Sequence, residues 1–294
     1  MKKFFELSSW RTALGNLLPS AHGHQGGSRK AAIGSMLIMA MLFAACGDED
    51  SWSPSARPND EPGVESSSSG VTPQSSDSET SVSTGTMTDS RDGKTYRTVK
   101  IGDQVWMAEN LNYAYTGVPY KYDGYTSDST SWCYGNDPAN CTKYGRLYTW
   151  AAAMDSVGEW STNGKGCGYD QTCSPTYPVR GVCPEGWHLP DTTEWKALFT
   201  AVGGRSTAGM VLKSTSGWYN SGNGSDAFGF SALPAGDRDG NGGYHYDGNY
   251  ALFWSSTESY SNLAYGMLLS YLSDSASLYS DYKKFGFSVR CLKD

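Results

Sequence analysis

The sequence has 294 residues, and its 30 acidic side chains against 23 basic ones give a formal net charge of −7 at pH 7. This acidic balance, together with the lack of a basic stripe in the C-terminal sequence, argues against a nucleic-acid partner. The length allows two domains of roughly 100 to 200 residues each, but the composition divides the chain differently, into an export segment, a tether and one domain.

Residues 1–45 have the pattern of a signal peptide. The apolar run at 31–45 follows Ser28-Arg29-Lys30; it is shorter than the about 20 residues of a membrane helix but suits the hydrophobic region of an export signal. The run ends in Phe43-Ala44-Ala45-Cys46, which resembles the lipobox of bacterial lipoproteins and implies a lipid on Cys46. An ordinary secretion signal containing Cys46 is the alternative, and both export the protein. We expect a lipid anchor to be its only membrane contact, at the outer membrane or cell surface.

Residues 46–87 are predicted to form a disordered acidic tether. The segment is rich in Ser, Thr, Pro, Asp and Glu and has almost no large apolar side chain, so it cannot bury enough surface to offset its ordering entropy. Between residues 48 and 87, eight acids stand against Arg57 alone, a net charge of −7. A flexible chain of about 40 residues spans roughly 35 Å, enough to hold a domain clear of a membrane.

Residues 88–294 are predicted to form one loop-rich α+β domain with antiparallel strands and two short helices. They are rich in Gly, Tyr, Trp and Ser and poor in long aliphatic side chains, a balance that favours a core of aromatic side chains. Residues 95–101 and 104–107 flank Gly102-Asp103, which is the pattern of a two-residue hairpin turn. Strands are therefore expected to open the domain.

Two helices are predicted in the middle of the domain. From Gly145 to Asp155, apolar residues recur at helical spacing and indicate a short amphipathic helix. Further along the chain, Asp191 and Glu194 have the spacing of a capping box, and Gly203-Gly204 ends the helical pattern. The second helix is therefore expected to start after Asp191, with Trp195 packed in the core.

The domain is predicted to close on a strand at residues 285–292. There, Phe285, Phe287, Val289 and Cys291 alternate with Gly286, Ser288, Arg290 and Leu292. This alternation favours a strand with one mostly buried face that carries its cysteine inward.

Six cysteines remain after Cys46, and an even number in an exported domain favours disulfides. Six cysteines allow fifteen pairings, of which sequence proximity favours Cys133 with Cys141 and Cys167 with Cys173, and this leaves Cys183 with Cys291. The alternative is a zinc site made by Cys167, Cys173, Cys183 and His188. Its spacing matches no two-cysteine knuckle, so we expect the disulfide-stapled domain.

Several motifs of the domain are recognisable as a set. In chain order they are Asp92-Gly93-Lys94-Thr95-Tyr96, Gln104-Val105-Trp106-Met107-Ala108-Glu109-Asn110-Leu111, Gly145-Arg146-Leu147-Tyr148-Thr149-Trp150, Cys183-Pro184-Glu185-Gly186-Trp187-His188-Leu189-Pro190, Phe253-Trp254-Ser255-Ser256-Thr257-Glu258 and Gly286-Phe287-Ser288-Val289-Arg290-Cys291. This set resembles the Fibrobacter succinogenes major paralogous domain. The resemblance implies a C-type-lectin-like fold, shared with the formylglycine-generating sulfatase-modifying domains, and an exported or lipid-anchored protein of unknown activity.

Catalysis finds little support in the sequence. Formylglycine-generating enzymes use a closely spaced C-terminal cysteine pair, whereas this chain has Cys291 alone after Cys183. Ser255-Ser256 lies near Glu258 without a nucleophile elbow or an ordered triad signature, and scattered acids such as Asp226 do not define a glycosidase pair. We therefore expect a binding protein that needs no cofactor, with calcium as the one candidate ion.

The calcium candidate is the segment Asp237-Arg238-Asp239-Gly240-Asn241-Gly242, which copies the start of an EF-hand loop. Asp237, Asp239 and Asn241 would supply the alternating oxygen ligands. The twelfth position holds Gly248 where a bidentate Glu is needed, so an Asp- and Gly-rich turn is the favoured interpretation.

Aromatic side chains supply the candidate ligand-binding residues. Between residues 218 and 250 they are interleaved with Gly, Asn and Asp, and they comprise Trp218, Tyr219, Tyr244, Tyr246 and Tyr250. Aromatic rings beside short hydrogen-bonding side chains suit a sugar face or a protein partner. The alternative is a loop whose tyrosines cover its own base.

Two classes of function follow from this composition. A surface binding module, for a polysaccharide of the plant cell wall or another source, predicts loop aromatics exposed together on one face. A structural or protein-interaction domain of the envelope predicts that these aromatics pack inward or form a broad patch.

Overall fold

The computed structural model describes residues 82–294. The expected signal peptide at 1–45, the expected lipidation site Cys46 and the expected tether up to residue 81 lie outside the described residues. Strand structure starts at Thr84, within the last residues assigned to the tether. This first strand is mostly exposed, so its sequence carries little apolar signal that would separate it from the tether.

The regular structure in the described part of the chain comprises strands and four α-helices, two more than predicted, and it is consistent with the α+β class. The strands are β1 (Thr84–Thr88), β2 (Thr95–Ile101), β3 (Gln104–Met107), β4 (Thr116–Tyr122), β5 (Tyr125–Ser129), β6 (Ser131–Trp132), β7 (Leu147–Tyr148), β8 (Trp187–His188), β9 (Ala235–Arg238), β10 (Tyr244–Asp247), β11 (Tyr250–Tyr260), β12 (Leu263–Ser270), β13 (Ala276–Tyr282) and β14 (Leu292–Lys293). The helices are α1 (Pro138–Tyr144), α2 (Trp150–Ala153), α3 (Thr192–Ala201) and α4 (Arg205–Leu212).

Two antiparallel sheets organise the domain. The larger has the order β1-β2-β3-β14-β8, so that the opening hairpin pairs with the closing strand, and the smaller has the order β11-β12-β13. The hairpin predicted around Gly102-Asp103 is confirmed, because Ile101 pairs with Gln104 across that turn. Three two-stranded pairs, β4-β5, β6-β7 and β9-β10, complete the described pairing.

Aromatic side chains fill the core, as the composition predicted. Trp106 and Trp195 stack with their ring centroids 4.7 Å apart, Phe230 packs edge-on against Trp106, and Phe253 packs edge-on against Phe230. In a second cluster, Trp254 lies 4.2 Å from Phe287. Each such ring buries about 150–250 Å², worth roughly 4 to 6 kcal/mol of apolar transfer free energy, which offsets the shortage of aliphatic side chains.

The helix predicted over Gly145–Asp155 is wrong in extent. Gly145 has φ +73°, Leu147 pairs with Trp132 as a strand, and the helix comprises only Trp150–Ala153. The Thr149 side chain caps it by accepting a hydrogen bond from the Ala152 N–H. Leu147, Trp150 and Met154 are buried, as the apolar spacing predicted, and Ala151 is half-buried, but strand pairing decided the local conformation.

The closing segment is buried on both sides rather than on one face. Phe287 pairs with Tyr148, Gly286 with Arg238, and Ser288 with Phe253, so that residues 286–288 bridge three separate strands. Gly286, Ser288 and Arg290, expected on the exposed face, are therefore buried as well. Only Leu292–Lys293 forms a regular strand.

The three predicted disulfides are present, two of them between neighbouring cysteines and the third between the remaining pair. They join Cys133 to Cys141, Cys167 to Cys173 and Cys183 to Cys291, with Cα atoms 4.7, 4.8 and 5.9 Å apart. The last of these ties the middle of the domain to its final strand. None of the helices described is long and apolar enough to cross a bilayer.

Candidate binding surface

The turn Gly248-Asn249, between β10 and β11, brings four tyrosines to one place. The Tyr219 N–H donates to the Gly248 carbonyl at 2.8 Å, and the Tyr271 N–H donates to the Asn249 carbonyl at 2.9 Å. Tyr246 and Tyr250 flank the same turn in sequence. We call Tyr219, Tyr246, Tyr250 and Tyr271 the tyrosine surface.

Two of these tyrosines are exposed and two support them. Tyr219 is 58% exposed and Tyr246 is 54% exposed. The Tyr219 ring packs edge-to-face on Tyr271 with centroids 5.9 Å apart, and the Tyr246 ring packs likewise on Tyr250 at 5.3 Å. Such edge-to-face pairs contribute about 0.5–1.5 kcal/mol beyond their buried area, so each exposed ring has a fixed support beneath it.

The backbone under the exposed rings is held in an unusual conformation. Tyr246 has φ +65°, and Asn220 and Ser221, which follow Tyr219, have φ +46° and +60°. Bulky residues rarely adopt positive φ, because Cβ crowds the backbone, and such residues persist only where surrounding contacts fix them. Here the Tyr246 carbonyl accepts a hydrogen bond from the Asn249 N–H at 3.0 Å. The backbone that carries Tyr246 is therefore held by the turn itself.

Close backbone approach fixes the other side of the surface. A Cβ built on Gly222 would lie 2.5 Å from the Tyr271 carbonyl oxygen, so the loop that carries Tyr219 fits against Tyr271 only with glycine at this position. The Gly222 N–H donates to the Tyr219 carbonyl at 2.9 Å. The tight turn thus couples Tyr219 to Tyr271 through the backbone as well as the rings.

Two of the five predicted aromatic residues lie elsewhere. Trp218 is only 5% exposed, and its indole N–H donates to Ser214 Oγ at 3.1 Å and to the Ala232 carbonyl at 3.2 Å. The expectation that it lies in a ligand-binding surface is therefore wrong, since a satisfied and buried indole belongs to the core. Tyr244 donates from its hydroxyl to Asn136 Oδ1 at 2.7 Å and packs on Tyr134.

Tyr244 belongs to an aromatic box around the buried Arg238. The Arg238 guanidinium lies 3.7 Å from the Trp132 ring centroid and 4.9 Å from that of Tyr125, and it donates to the Tyr125 hydroxyl at 2.6 Å. Tyr244 lies further out, at 5.7 Å. These rings surround the guanidinium of Arg238, and this contact accounts for the separation of Tyr244 from the tyrosine surface.

Sequence reasoning missed Tyr271, the fourth member. It follows β12 and is far from residues 218–250 in the chain, and only the strand pairing that sets Tyr250 opposite Ser270 brings it to the turn. The pattern of Tyr and Gly in the sequence carries no signal for this pairing.

The calcium candidates lie in the β9–β10 hairpin. Asp239 Oδ1 accepts hydrogen bonds from the N–H groups of Asn241 and Gly243, both at 2.8 Å, and Asp239 Oδ2 lies 3.1 Å from His245 Nε2. Asp237 is buried in β9; burial raises its pKa to about 7, with His245 lowering it and Asp281 adding to the rise. Over the described residues, no three His, Cys, Asp or Glu side chains form a group that could hold a metal ion. Asp239 Oδ1 thus closes the turn through two backbone N–H groups, and calcium binding at Asp237, Asp239 and Asn241 stays a prediction.

The side chains considered for catalysis have separate partners. Glu258 forms an ion pair with the buried Lys283 and accepts from the Cys173 N–H at 3.0 and 3.1 Å. His188 lies between Asp294, at 2.7 Å, and Glu194, at 2.9 Å. Ser255-Ser256 is fully buried in β11. Among the described residues, Glu258 thus joins β11 to Cys173 and Lys283, and His188 joins β8 to α3.

A protein-family model matches most of the chain. The family model described as the Fibrobacter succinogenes major domain covers residues 99–293, which include the three disulfides and all four residues of the tyrosine surface. No curated protein matches the chain, and no solved structure matches it either.

Proposed function

The chain belongs to the Fibrobacter succinogenes major domain family, and from this premise we propose that it is a lipid-anchored binding module of the bacterial envelope or cell surface. The anchor would be Cys46, followed by the acidic tether. The disulfides support export, because they form and persist in oxidising compartments. The ligand would then meet the domain outside the cytoplasm.

We propose a C-type-lectin-like fold for the domain. Its support is the sheet in which the β2–β3 hairpin is joined through β3 to the closing β14, together with α3 packed beside that sheet and the Cys183–Cys291 bond. Loops on such a scaffold are suited to ligand binding, because rigid elements position them.

We propose that the tyrosine surface binds a carbohydrate. One observation carries this proposal: Tyr219 and Tyr246 are each more than half exposed, beside one turn whose backbone hydrogen bonds hold both segments. An aromatic ring offers an apolar face to the C–H side of a pyranose while its hydroxyl stays wet. Rings that are held in place lose little conformational entropy on binding, so more of the contact energy is available as affinity.

A protein-interaction domain without a small ligand is the second candidate. Leu272 is 75% exposed directly after Tyr271, and Met210, whose N–H donates to the Asp274 carbonyl, is 48% exposed. These apolar side chains extend the tyrosine surface toward the size of a protein interface. Methionine and tyrosine are both enriched in such interfaces.

A polysaccharide array with the full-length, oxidised protein distinguishes the two candidates. We expect binding to a neutral or acidic polysaccharide that weakens about tenfold, or 1.4 kcal/mol, in the double variant Tyr219→Ala and Tyr246→Ala. Tyr260→Ala is the matched control, because Tyr260 is 68% exposed at the far end of β11, roughly 30 Å from Tyr250. Loss of binding in chelator would assign Asp237, Asp239 and Asn241 to calcium. No binding by the folded protein would overturn the carbohydrate proposal in favour of a protein partner.

The anchor is tested by Cys46→Ser in the producing bacterium. Removal of the thiol should shift the protein from the membrane pellet to the soluble exported fraction, because a thioether-linked diacylglycerol needs that sulfur. Cys133→Ser is a control that keeps the anchor. Membrane association that persists in Cys46→Ser would contradict lipidation at this position.

A further inference from the structure

A small pocket lies between β4, the start of α2, the loop closed by Cys167–Cys173 and the turn at Lys283-Lys284. Its volume is 160 Å³, and its lining includes Tyr122, Tyr169, Ala151, Thr130, Lys121 and Lys284. Pockets for drug-sized ligands measure about 300–1,000 Å³. This pocket has the size for one small ring.

Two aromatic rings form its walls. Tyr122 and Tyr169 lie edge-to-face with centroids 5.8 Å apart and an interplanar angle of 86°. Lys284 Nζ lies 3.6 Å from the Tyr122 ring centroid and 5.7 Å from that of Tyr169. The ammonium group therefore lies over the face of Tyr122 and beside Tyr169, and the two rings offer apolar surface around it.

Thr130 contributes a hydroxyl that lacks a partner. The residue is 3% exposed, and its Oγ1 is buried without a hydrogen-bond partner among the described residues, although its carbonyl accepts from the Thr149 N–H. Buried hydroxyls are nearly always paired, and an unpaired one is destabilising. Thr130 is also among the residues that line the pocket, so its unpaired hydroxyl lies in the pocket wall.

The pocket is positively charged. Lys121, Lys283 and Lys284 line it, and no acidic side chain is among the described lining residues. The Lys283 ammonium is already satisfied by Glu258 and by the carbonyls of Gly168, Gln171 and Ser261. Neither Lys121 nor Lys284 forms an ion pair within residues 82–294. Their charges are free to meet an anion.

We propose that this pocket binds the carboxylated ring of a single hexuronate unit. The carboxylate would meet Lys284 and Lys121, the C–H edge of the sugar ring would contact Tyr122 and Tyr169, and a sugar hydroxyl would pair with Thr130. An aspartate or glutamate side chain of a protein would satisfy the lysines but has neither a ring for the walls nor a hydroxyl for Thr130. The pocket shares no residue with the tyrosine surface, so it is a second site with its own chemistry.

Titration of the full-length protein with sodium D-glucuronate, followed by amide NMR, tests the site. We expect shifts at Tyr122, Thr130 and Tyr169 that saturate with glucuronate and are absent with D-glucose and with glutamate. Lys284→Met keeps the apolar stem, removes the charge and should weaken binding about tenfold. Lys196→Met, on the exposed side of α3, should leave it unchanged.

Thr130→Val separates a ligand role from a structural one. Valine has the same shape, and the threonine hydroxyl makes no internal hydrogen bond, so the melting temperature of the free protein should not fall. Glucuronate binding should weaken about threefold, the value of one neutral hydrogen bond. A lower melting temperature with unchanged binding would overturn the proposal, and so would equal shifts with glucose or glutamate. The Tyr219→Ala and Tyr246→Ala double variant should still bind glucuronate at this pocket, so failure here is distinct from failure of the tyrosine surface.

Discussion

Arg290 is a buried charged side chain on which several segments converge. Its guanidinium donates to Asn110 Oδ1 at 2.8 Å, to the Ser231 carbonyl at 2.9 Å and to the Phe230 carbonyl. Asn110 in turn donates to the Tyr144 carbonyl at 2.8 Å. Burial lowers the pKa of Arg290 to about 9, although the negative charge of Asp226 acts to raise it. The closing motif of the sequence therefore has a structural role.

Arg290→Lys should be strongly destabilising. Lysine keeps the charge, but its single ammonium group cannot reach acceptors that lie on two sides of a planar guanidinium. Buried oxygens therefore lose their donor in this variant. We expect the free energy of unfolding to fall by about 2 kcal/mol or more, measured by urea denaturation. Arg97→Lys is the control, since the Arg97 side chain is 59% exposed, and it should stay within about 0.5 kcal/mol. Equal stability of the two variants would refute this role.

Asp237 and Asp239 are two residues apart and titrate in opposite directions. Burial raises the pKa of Asp237 to about 7. Burial also acts to raise the pKa of Asp239, but hydrogen bonds from His245, Gly243 and Asn241 outweigh it, so the pKa is lowered. A raised carboxyl pKa means that the folded state holds the proton more tightly than the unfolded state does. The contribution of Asp237 to the free energy of unfolding is therefore fully present below about pH 4 and is lost as the pH rises through 7.

The stability of Asp237→Asn relative to the wild type should increase from pH 5 to pH 8. The buried wild-type carboxyl becomes charged over this range, whereas the amide carries no charge at either pH. Asp239→Asn should lose stability relative to the wild type at both values, since the ionised Asp239 is the stabilised form. Urea unfolding at the two pH values measures both differences. His188, whose pKa is raised because bonds to Glu194 and Asp294 outweigh burial, also favours lower pH, but its contribution cancels in each comparison. A pH-independent difference for Asp237→Asn would contradict the burial argument.

At the scale of elements, α3 is fixed at its start by a complete capping box. Asp191 Oδ1 accepts from the N–H groups of Thr193 and Glu194 at 2.7 and 2.8 Å, and Glu194 Oε2 accepts from the Asp191 N–H at 2.8 Å. Glu194 Oε1 also contacts His188 on β8. The cap thus joins the helix to the larger sheet.

Asp191→Ala should lower the free energy of unfolding by about 1 kcal/mol, the usual value of an N-cap. Two N–H groups at the start of the helix lose their acceptor in this variant. Thr193→Ala is the matched control, because Thr193 is exposed in the same turn, and its effect should be within about 0.5 kcal/mol. Thermal unfolding of both variants gives the comparison, and similar melting temperatures would argue against the cap.

At the scale of the whole molecule, the Cys183–Cys291 disulfide spans 108 residues, whereas Cys133–Cys141 spans 8. In the chain-entropy model the long loop stabilises by about 4 to 5 kcal/mol and the short one by roughly 2.5 kcal/mol. Replacing both cysteines of the long pair with alanine should therefore destabilise the domain more than the same change in the short pair. Urea denaturation of the two double variants tests this ranking, which the reverse order would contradict.

The sequence determined the features that depend on neighbouring residues. The hairpin follows from a turn between two β-patterned segments, α3 from its cap and its glycines, and the local disulfides from proximity. The aromatic core follows from composition. Helix α1 had a local signal as well, since Asp137 caps it and Pro138 stands at its first position, which is a favoured start.

The tertiary structure alone decided the features that depend on distant residues. Strand pairing shortened the helix after Gly145, and three partner strands buried both sides of residues 286–288. Placement relative to Arg238 and to the Gly248-Asn249 turn separated Tyr244 from Tyr219 and added Tyr271. A periodic pattern records which residues avoid water, but not which distant backbone groups will satisfy their hydrogen bonds, and here that second condition determined which aromatic rings remain exposed.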